Sequence, residues 1–209
     1  MNEIERTQQR TRGYWYSDGI TELVGGVALA LVGLPMIVAS RTGIDALSTI
    51  ALIGMIVLFP LSARAIRYLK DRITHQRTGY VKYPRPSMST QRKALLVILF
   101  AVVGIVIIIS FWRGESVLEG TFGKAFLLGS GGAMSVAFAV RAVRMRLPRF
   151  FASAAAAAAA TLVTLLTGIE FNEGLGLLLA LLGVTSIITG AYALSVYLGR
   201  HPKAPAETP

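Results

Sequence analysis

The chain has 209 residues, of which 54% are apolar, and its formal net charge is +10. The apolar residues form long blocks of about the thickness of a bilayer, which excludes a water-soluble domain of ordinary composition. The absence of cysteine excludes disulfides and thiol chemistry. Both histidines, His75 and His201, lie outside the apolar blocks. This placement excludes a haem held between helices by paired histidines.

Six apolar spans occur along the chain. A helix that crosses the roughly 30 Å hydrocarbon layer needs about 20 apolar residues. Lipid offers the backbone no hydrogen-bond partners, so each span is expected to be helical. The predicted fold class is all-α, a polytopic transmembrane bundle of six helices arranged as three hairpins. The spans cover residues 20–40, 45–63, 94–112, 121–140, 150–167 and 174–198.

The basic residues are distributed unevenly between the two sides of these spans. Of the 21 Lys and Arg residues, all but Arg41, Arg113 and Lys124 fall on one side. Because basic residues in short loops favour the cytoplasm, both termini are predicted to be cytoplasmic. The predicted organisation is a cytoplasmic N-terminal segment, a transmembrane domain that contains a cytoplasmic basic loop, and a cytoplasmic tail. These parts are 1–19, 20–198 with the loop at 64–93, and 199–209.

Glycines recur seven residues apart in the first and last spans. GVALALVG at 26–33 and GLLLALLG at 176–183 share five of eight residues. We interpret this similarity as chance within a Gly, Ala and Leu alphabet. Small residues along one stripe let helix backbones approach closely in lipid. The sequence therefore predicts two close-packing faces, formed by Gly26, Gly33, Gly176, Gly183 and Gly190.

Patterns typical of enzymes are incomplete. Gly129-Ser130-Gly131-Gly132 superficially resembles the serine region of an intramembrane rhomboid-type protease, but no histidine lies in a span to take the hydroxyl proton. Asp18-Gly19 resembles the start of the lipid alcohol phosphotransferase motif, but the further aspartates that hold the metal are missing. The spans hold no ionisable residue at their centres. Glu22 and Lys124 lie within a turn of the span ends, where their side chains are expected to reach the interface. The sequence therefore predicts a non-enzymatic protein without catalytic residues, metal site or cofactor.

The loop 64–93 holds nine basic residues and one acid, Asp71. Gly79 permits a tight turn, which predicts a small hairpin between 73–76 and 80–83 on the cytoplasmic face. Each basic side chain near an anionic leaflet contributes about 1 kcal/mol. We expect this loop to bind anionic lipid headgroups or an acidic protein partner. The predicted binding residues are Arg72, Thr74, His75, Arg77, Thr78, Gly79, Tyr80, Lys82 and Arg85.

Residues 72–81 follow the pattern R-I/V-T-x-x-R-x-G-Y-V. The stretch resembles a cytoplasmic loop of uncharacterised small multispanning prokaryotic membrane proteins, although Gln76 stands where those proteins often have proline. The resemblance implies a location in a prokaryotic cell (inner) membrane and no known activity. The matching residues are Arg72, Thr74, Arg77, Gly79, Tyr80 and Val81.

A transport component is the alternative function. Six helices in about 200 residues resemble the solute-binding subunits of small vitamin transporters, which pair with an energising partner through small residues on their first helix. Ala28, Ala30 and Gly33 could serve for such pairing. A solute pocket open to the outer face would favour transport, whereas a solidly packed bundle would favour the first function. Nucleic acid is not an expected partner, because the pI of about 10.4 follows from the positive-inside distribution. The sequence does not indicate an oligomeric state.

Overall fold

The computed structural model describes residues 16–74, 77 and 121–202. This part of the chain contains five α-helices, each long and apolar enough to cross a membrane. The predicted all-α class is confirmed there, and the helices have the pattern of a multi-pass membrane protein. The expected third span, 94–112, lies outside the described residues, so the count of six helices stays a prediction. The helices are α1 (Ile20–Thr42), α2 (Asp45–Leu69), α3 (Thr121–Met145), α4 (Phe150–Thr167) and α5 (Phe171–Arg200).

Tight turns join α1 to α2, α3 to α4 and α4 to α5. Gly43 ends α1 with a φ of 70°, and Gly168 ends α4 with a φ of 64°, so glycine supplies the left-handed residue that stops each helix. Arg146 has the same conformation after α3, with a φ of 54°, although its side chain makes this conformation costlier by about 1 kcal/mol. The Leu147 N–H donates to the Ala142 carbonyl at 3.1 Å, which closes this third turn.

Helices α1 and α5 form the centre of the described bundle. They pack against each other along most of their length, and α2 packs on α1 while α4 packs on α5. Helix α3 packs mainly on α4. The two apolar clusters in this bundle lie around Met36 and around Ala157. Helix α2 exposes most of its apolar side chains, with Ile56 76% exposed, as expected for a helix that contacts lipid.

The predicted glycine faces lie against each other. Gly26 faces Gly183, and a Cβ added to Gly26 would lie 2.7 Å from the Gly183 carbonyl oxygen. Gly33 faces Gly176 in the same way, and a Cβ added to Gly33 would lie 2.7 Å from the Gly176 carbonyl oxygen. A Cβ added to Gly190 would lie 2.9 Å from the carbonyl oxygen of Gly19, in the turn before α1. The two helices therefore approach so closely that no side chain fits at these positions.

The contact between α1 and α5 includes residues of α1 that were expected to pair with an energising partner protein. Ala28, Ala30 and Gly33 are buried, and Ala30 and Gly33 contact α5. Helix α5 carries its own glycines at the matching heights, so the close approach is made within the chain. These two positions are therefore unavailable for the pairing with a second protein that the transport alternative assigned to them.

Candidate functional site

One end of the bundle is strongly basic. The start of α1, the ends of α2, α3 and α5 and the start of α4 meet there, as contacts between residues far apart in the chain show. Among the described residues, this basic end holds ten Lys and Arg residues and three acids. The acids are Asp18, Glu22 and Asp71. The basic residues are Arg64, Arg67, Lys70, Arg72, Arg77, Arg141, Arg144, Arg146, Arg149 and Arg200.

Asp18 joins the start of α1 to the end of α2. Its Oδ1 accepts a hydrogen bond from the Ile20 N–H at 3.2 Å. Its Oδ2 accepts from Lys70 Nζ at 2.7 Å and from Thr74 Oγ1 at 2.9 Å. Asp18 is 0% exposed, Lys70 2% and Thr74 5%. A charge so deeply buried costs several kcal/mol unless it is paired and hydrogen-bonded, and both charges here are paired.

The residues that reach Asp18 come from a π-helical stretch, Lys70–Thr74, which continues α2 directly. Lys70 and Thr74 are one turn apart, and both side chains contact the same carboxylate oxygen. Stretches of π-helix are rare and are frequently found at functional sites. The first arm of the expected hairpin, 73–76, therefore begins inside this helical stretch, because the contact with Asp18 fixes Thr74 there. The rest of that hairpin lies outside the described residues.

Glu22 forms a second ion pair at the same end. It is 8% exposed, and Arg149 Nε lies 3.0 Å from its Oε1 and 2.8 Å from its Oε2. Another Arg149 nitrogen donates to the Tyr16 carbonyl. The expectation that Glu22 reaches the interface is therefore not met, since Arg149 neutralises its charge within the protein. This pair joins α1 to the turn between α3 and α4.

Arg141 lies against two aromatic rings that also contact each other. Its guanidinium carbon is 5.0 Å from the centre of the Tyr16 ring and 5.7 Å from that of Phe150. Phe150 is 2% exposed, and the two rings meet edge to face at 6.0 Å. Aromatic faces attract a guanidinium cation. Arg141 is half-buried and, among the described residues, has no carboxylate within ion-pair distance.

Arg77 connects the start of the basic loop to the end of α5. Its Nη1 donates to the His201 carbonyl at 2.6 Å, and its Nε is buried without a hydrogen-bond partner. The His201 ring lies against Tyr197, with centres 4.5 Å apart. Part of the Arg77 guanidinium is therefore used inside the protein.

Three of the nine predicted binding residues lie in the described part of the chain, and each contacts a different partner. Arg72 is exposed, with its guanidinium 5.3 Å from the Tyr68 ring, so it is available to a ligand. Thr74 was expected to contact a ligand, but it is buried and its hydroxyl bonds to Asp18. Arg77 is half-buried against the end of α5. The other predicted residues lie outside the described part: His75, Thr78, Gly79, Tyr80, Lys82 and Arg85.

Reasoning from the sequence missed the paired charges. Asp18 and Lys70 are 52 positions apart, and Glu22 and Arg149 are 127 apart. The only local signal was the Asp18-Gly19 dipeptide before the first span, where Gly19 has a φ of 71° and a Cβ would lie 2.7 Å from Ala193 Cβ. That signal indicates a special turn, but it does not identify Lys70 as the partner.

The opposite end of the bundle has a small cleft between α3 and α4. Its volume of about 30 Å³ holds roughly two water molecules. Pockets for small organic ligands have roughly ten times this volume or more. This cleft is therefore too small for the solute that the transport alternative requires. It is lined by Lys124, Leu127, Leu128, Thr161, Thr164 and Leu165.

Among the described residues, no group of three or more His, Cys, Asp or Glu side chains could hold a metal ion. Lys70 and Arg149 pair with Asp18 and Glu22, whereas Arg141 and the exposed arginines of the basic end pair with no described carboxylate. Comparison with known proteins assigns no family, since no protein-family model, no curated protein and no solved structure matches this chain.

Proposed function

We propose that this chain is a non-enzymatic integral membrane protein whose basic end binds the headgroups of anionic lipids. The observation that supports this function is a ring of six exposed arginines around that end, with one exposed acid, Asp71, among the described residues. The arginines lie near or just after the ends of α2, α3 and α5, so three helices contribute them. They are Arg64, Arg67, Arg72, Arg144, Arg146 and Arg200.

The division between buried and exposed charge supports the same function. Lys70 and Arg149 are neutralised by Asp18 and Glu22 inside the protein. The exposed arginines form no ion pair with a described residue, so their charge is open to external anions. Each contributes about 1 kcal/mol beside an anionic leaflet, and a guanidinium matches the geometry of a phosphate with two parallel hydrogen bonds.

We place the basic end, with both termini, on the cytoplasmic side of a prokaryotic cell membrane. The excess of Lys and Arg at this end and the loop pattern at 72–81 support this orientation. The chain has no cysteine, so single cysteines report on it directly. In intact cells, an impermeant thiol reagent should label Thr42→Cys and leave Arg200→Cys unlabelled. The reverse pattern would place the basic end outside the cell.

The lipid preference is tested by purifying the protein in mild detergent and measuring bound lipids by mass spectrometry. We expect anionic phosphatidylglycerol to be retained over zwitterionic phosphatidylcholine, and the preference to weaken as salt screens the arginines. Replacing Arg144, Arg146 and Arg200 by Gln together should reduce it. The control replaces Arg41 and Lys124, at the opposite end, by Gln and should retain the preference for phosphatidylglycerol.

Equal retention of the two lipids by the parent protein would contradict this function. An acidic protein that co-purifies without any lipid preference would instead assign the arginines to a protein partner. The transport alternative loses one of its expected pairing positions, because Gly33 is occupied by α5.

A further inference from the structure

Resting on the proposed function, we propose that Arg141 is the specific phosphate-binding residue of the basic end. In this proposal, the exposed arginines attract anionic lipid without fixing its position, whereas Arg141 holds the phosphate group of one lipid. The proposal therefore separates a site of defined geometry from the general positive charge around it.

The aromatic rings restrict the Arg141 side chain. The faces of Tyr16 and Phe150 lie 5.0 and 5.7 Å from its guanidinium carbon, and Tyr16 Oη lies 3.5 Å from its Nη2. Phe150 is itself fixed by stacking on Phe138, with centres 6.4 Å apart. An arginine held in this way loses less conformational entropy on binding than an arginine free in solvent. It can therefore bind a phosphate more tightly than its exposed neighbours.

The charge balance around Arg141 favours one additional anion. Glu22 interacts electrostatically with Arg149, Asp18 and Arg141, and Lys70 interacts with Asp18, Glu22 and Arg149. These five groups carry three positive and two negative charges. Asp18 and Glu22 are already paired with Lys70 and Arg149, so the excess positive charge belongs to Arg141. A phosphodiester carries the single negative charge that would balance it.

When the end of α3 is taken as the outer edge of the polar layer of the bilayer, Arg141 lies at the depth of a lipid headgroup. It lies four residues before Met145, the end of α3, which corresponds to about 6 Å along the helix. The polar layer on each side of a bilayer is roughly 5–8 Å thick. The exposed side chains of Arg144 and Arg146 lie between this depth and the aqueous phase. A headgroup phosphate at this level would meet Arg141 from the lipid side and these two arginines from the water side.

The decisive measurement is the dissociation constant for phosphatidylglycerol, with phosphatidylcholine of the same acyl length as the reference, on the full chain in detergent. Arg141→Gln should weaken phosphatidylglycerol binding about tenfold or more, because a charge-assisted contact is lost. Arg64→Gln is the matched control, since it removes one exposed charge at the same end from α2. It should weaken binding less than about threefold.

A second variant tests the charge balance by the direction of its effect. Glu22→Gln keeps the shape of the side chain and its hydrogen-bond acceptor for Arg149, but it removes one negative charge beside Arg141. Phosphatidylglycerol should then bind more tightly, whereas a variant that merely damaged the fold would bind more weakly. Unchanged or weaker binding by a folded Glu22→Gln protein would overturn the proposal.

Arg141→Lys keeps the positive charge but removes the planar guanidinium. It replaces Arg141→Gln in this test if that variant does not fold. It should still weaken binding, because an ammonium group cannot form two parallel bonds to a phosphate. If the parent prefers phosphatidylglycerol but Arg141→Gln and Arg64→Gln lose it equally, this site is wrong and the proposed function remains. If the parent shows no preference, the proposed function itself fails.

Inorganic phosphate distinguishes the two sources of a phosphate group. It should displace phosphatidylglycerol only at concentrations far above the dissociation constant of the lipid, because the acyl chains contribute to lipid binding. Displacement at comparable concentrations would assign Arg141 to free phosphate and overturn its assignment to a lipid.

Discussion

The interface between α1 and α5 and the charged cluster at the basic end are both buried, but they are built in opposite ways. In the interface, Gly26 faces Gly183 and Gly33 faces Gly176, so the backbones meet because side chains are absent. In the cluster, Asp18 meets Lys70 and Glu22 meets Arg149 through long side chains. The interface excludes any added atom, whereas the cluster requires every charge to keep its partner.

This difference separates the contacts that hold helices together from the contacts that select which helix ends meet. Close backbone contact lets α1 and α5 associate in lipid. A buried ion pair adds little net stability over an apolar pair of similar size, but a buried charge left alone is strongly unfavourable. We infer that the glycines hold the two central helices together and that the ion pairs determine which helix ends meet them. The following predictions test this division, from the largest expected effect to the smallest.

Asp18→Ala should destabilise the protein most, by about 3–5 kcal/mol, because it removes the carboxylate that pairs with the buried Lys70 ammonium group. The variant also loses the acceptor for Thr74. The measurement is thermal unfolding in detergent, with Glu170→Ala as the control, because Glu170 is an exposed acid at the opposite end. Equal melting of the two variants would show that the buried pair has no structural role.

Replacing both partners sharpens this test. Asp18→Leu combined with Lys70→Met removes both charges, so the double variant should recover much of the stability lost by Asp18→Leu alone. The recovery is read from a double-mutant cycle in the same unfolding assay. A double variant as unstable as the sum of the two single variants would show that Asp18 and Lys70 are not coupled.

Gly26→Leu should destabilise the protein by about 1–3 kcal/mol, because its Cβ would lie 2.7 Å from the Gly183 carbonyl oxygen and push α1 away from α5. Gly25→Leu is the matched control, since a Cβ at that adjacent position meets nothing within 4 Å. Thermal unfolding of both variants in detergent measures the difference. If Gly26→Leu melted like Gly25→Leu, the glycines would not determine the spacing of α1 and α5.

Arg41→Ala should have the smallest effect, below about 1 kcal/mol. Arg41 pairs with Glu173 at the opposite end, but its side chain is 71% exposed, and water screens such a pair. The same unfolding assay at low and high salt checks this prediction. A loss as large as that of Asp18→Ala would contradict the view that burial gives the ion pairs of the basic end their importance.

The sequence by itself determined the helices and their glycine faces. The predicted span 150–167 has the bounds of α4, and 20–40 differs from α1 by two residues at one end. Bilayer thickness fixes the length of a crossing helix, and the helical period places residues seven apart on one face. Both constraints act on neighbouring parts of the chain, so a single sequence contains them. Helix α5 is longer than predicted at both ends, because it continues past the apolar run to Phe171 and Arg200.

Only the tertiary structure decided which faces and which charges meet. The glycines at 26 and 183 predict two faces that pack closely, but the sequence does not show that they pack against each other. In the same way, Glu22 near a span end is compatible with a side chain that reaches water or with one that pairs inside the protein. The pairing with Arg149 depends on how α4 is placed beside α1, and helices associate in lipid through the shape of the whole bundle. The pairing of Asp18 with Lys70 and the place of Arg141 as a candidate binding residue became visible only when that packing brought distant parts of the chain to one end.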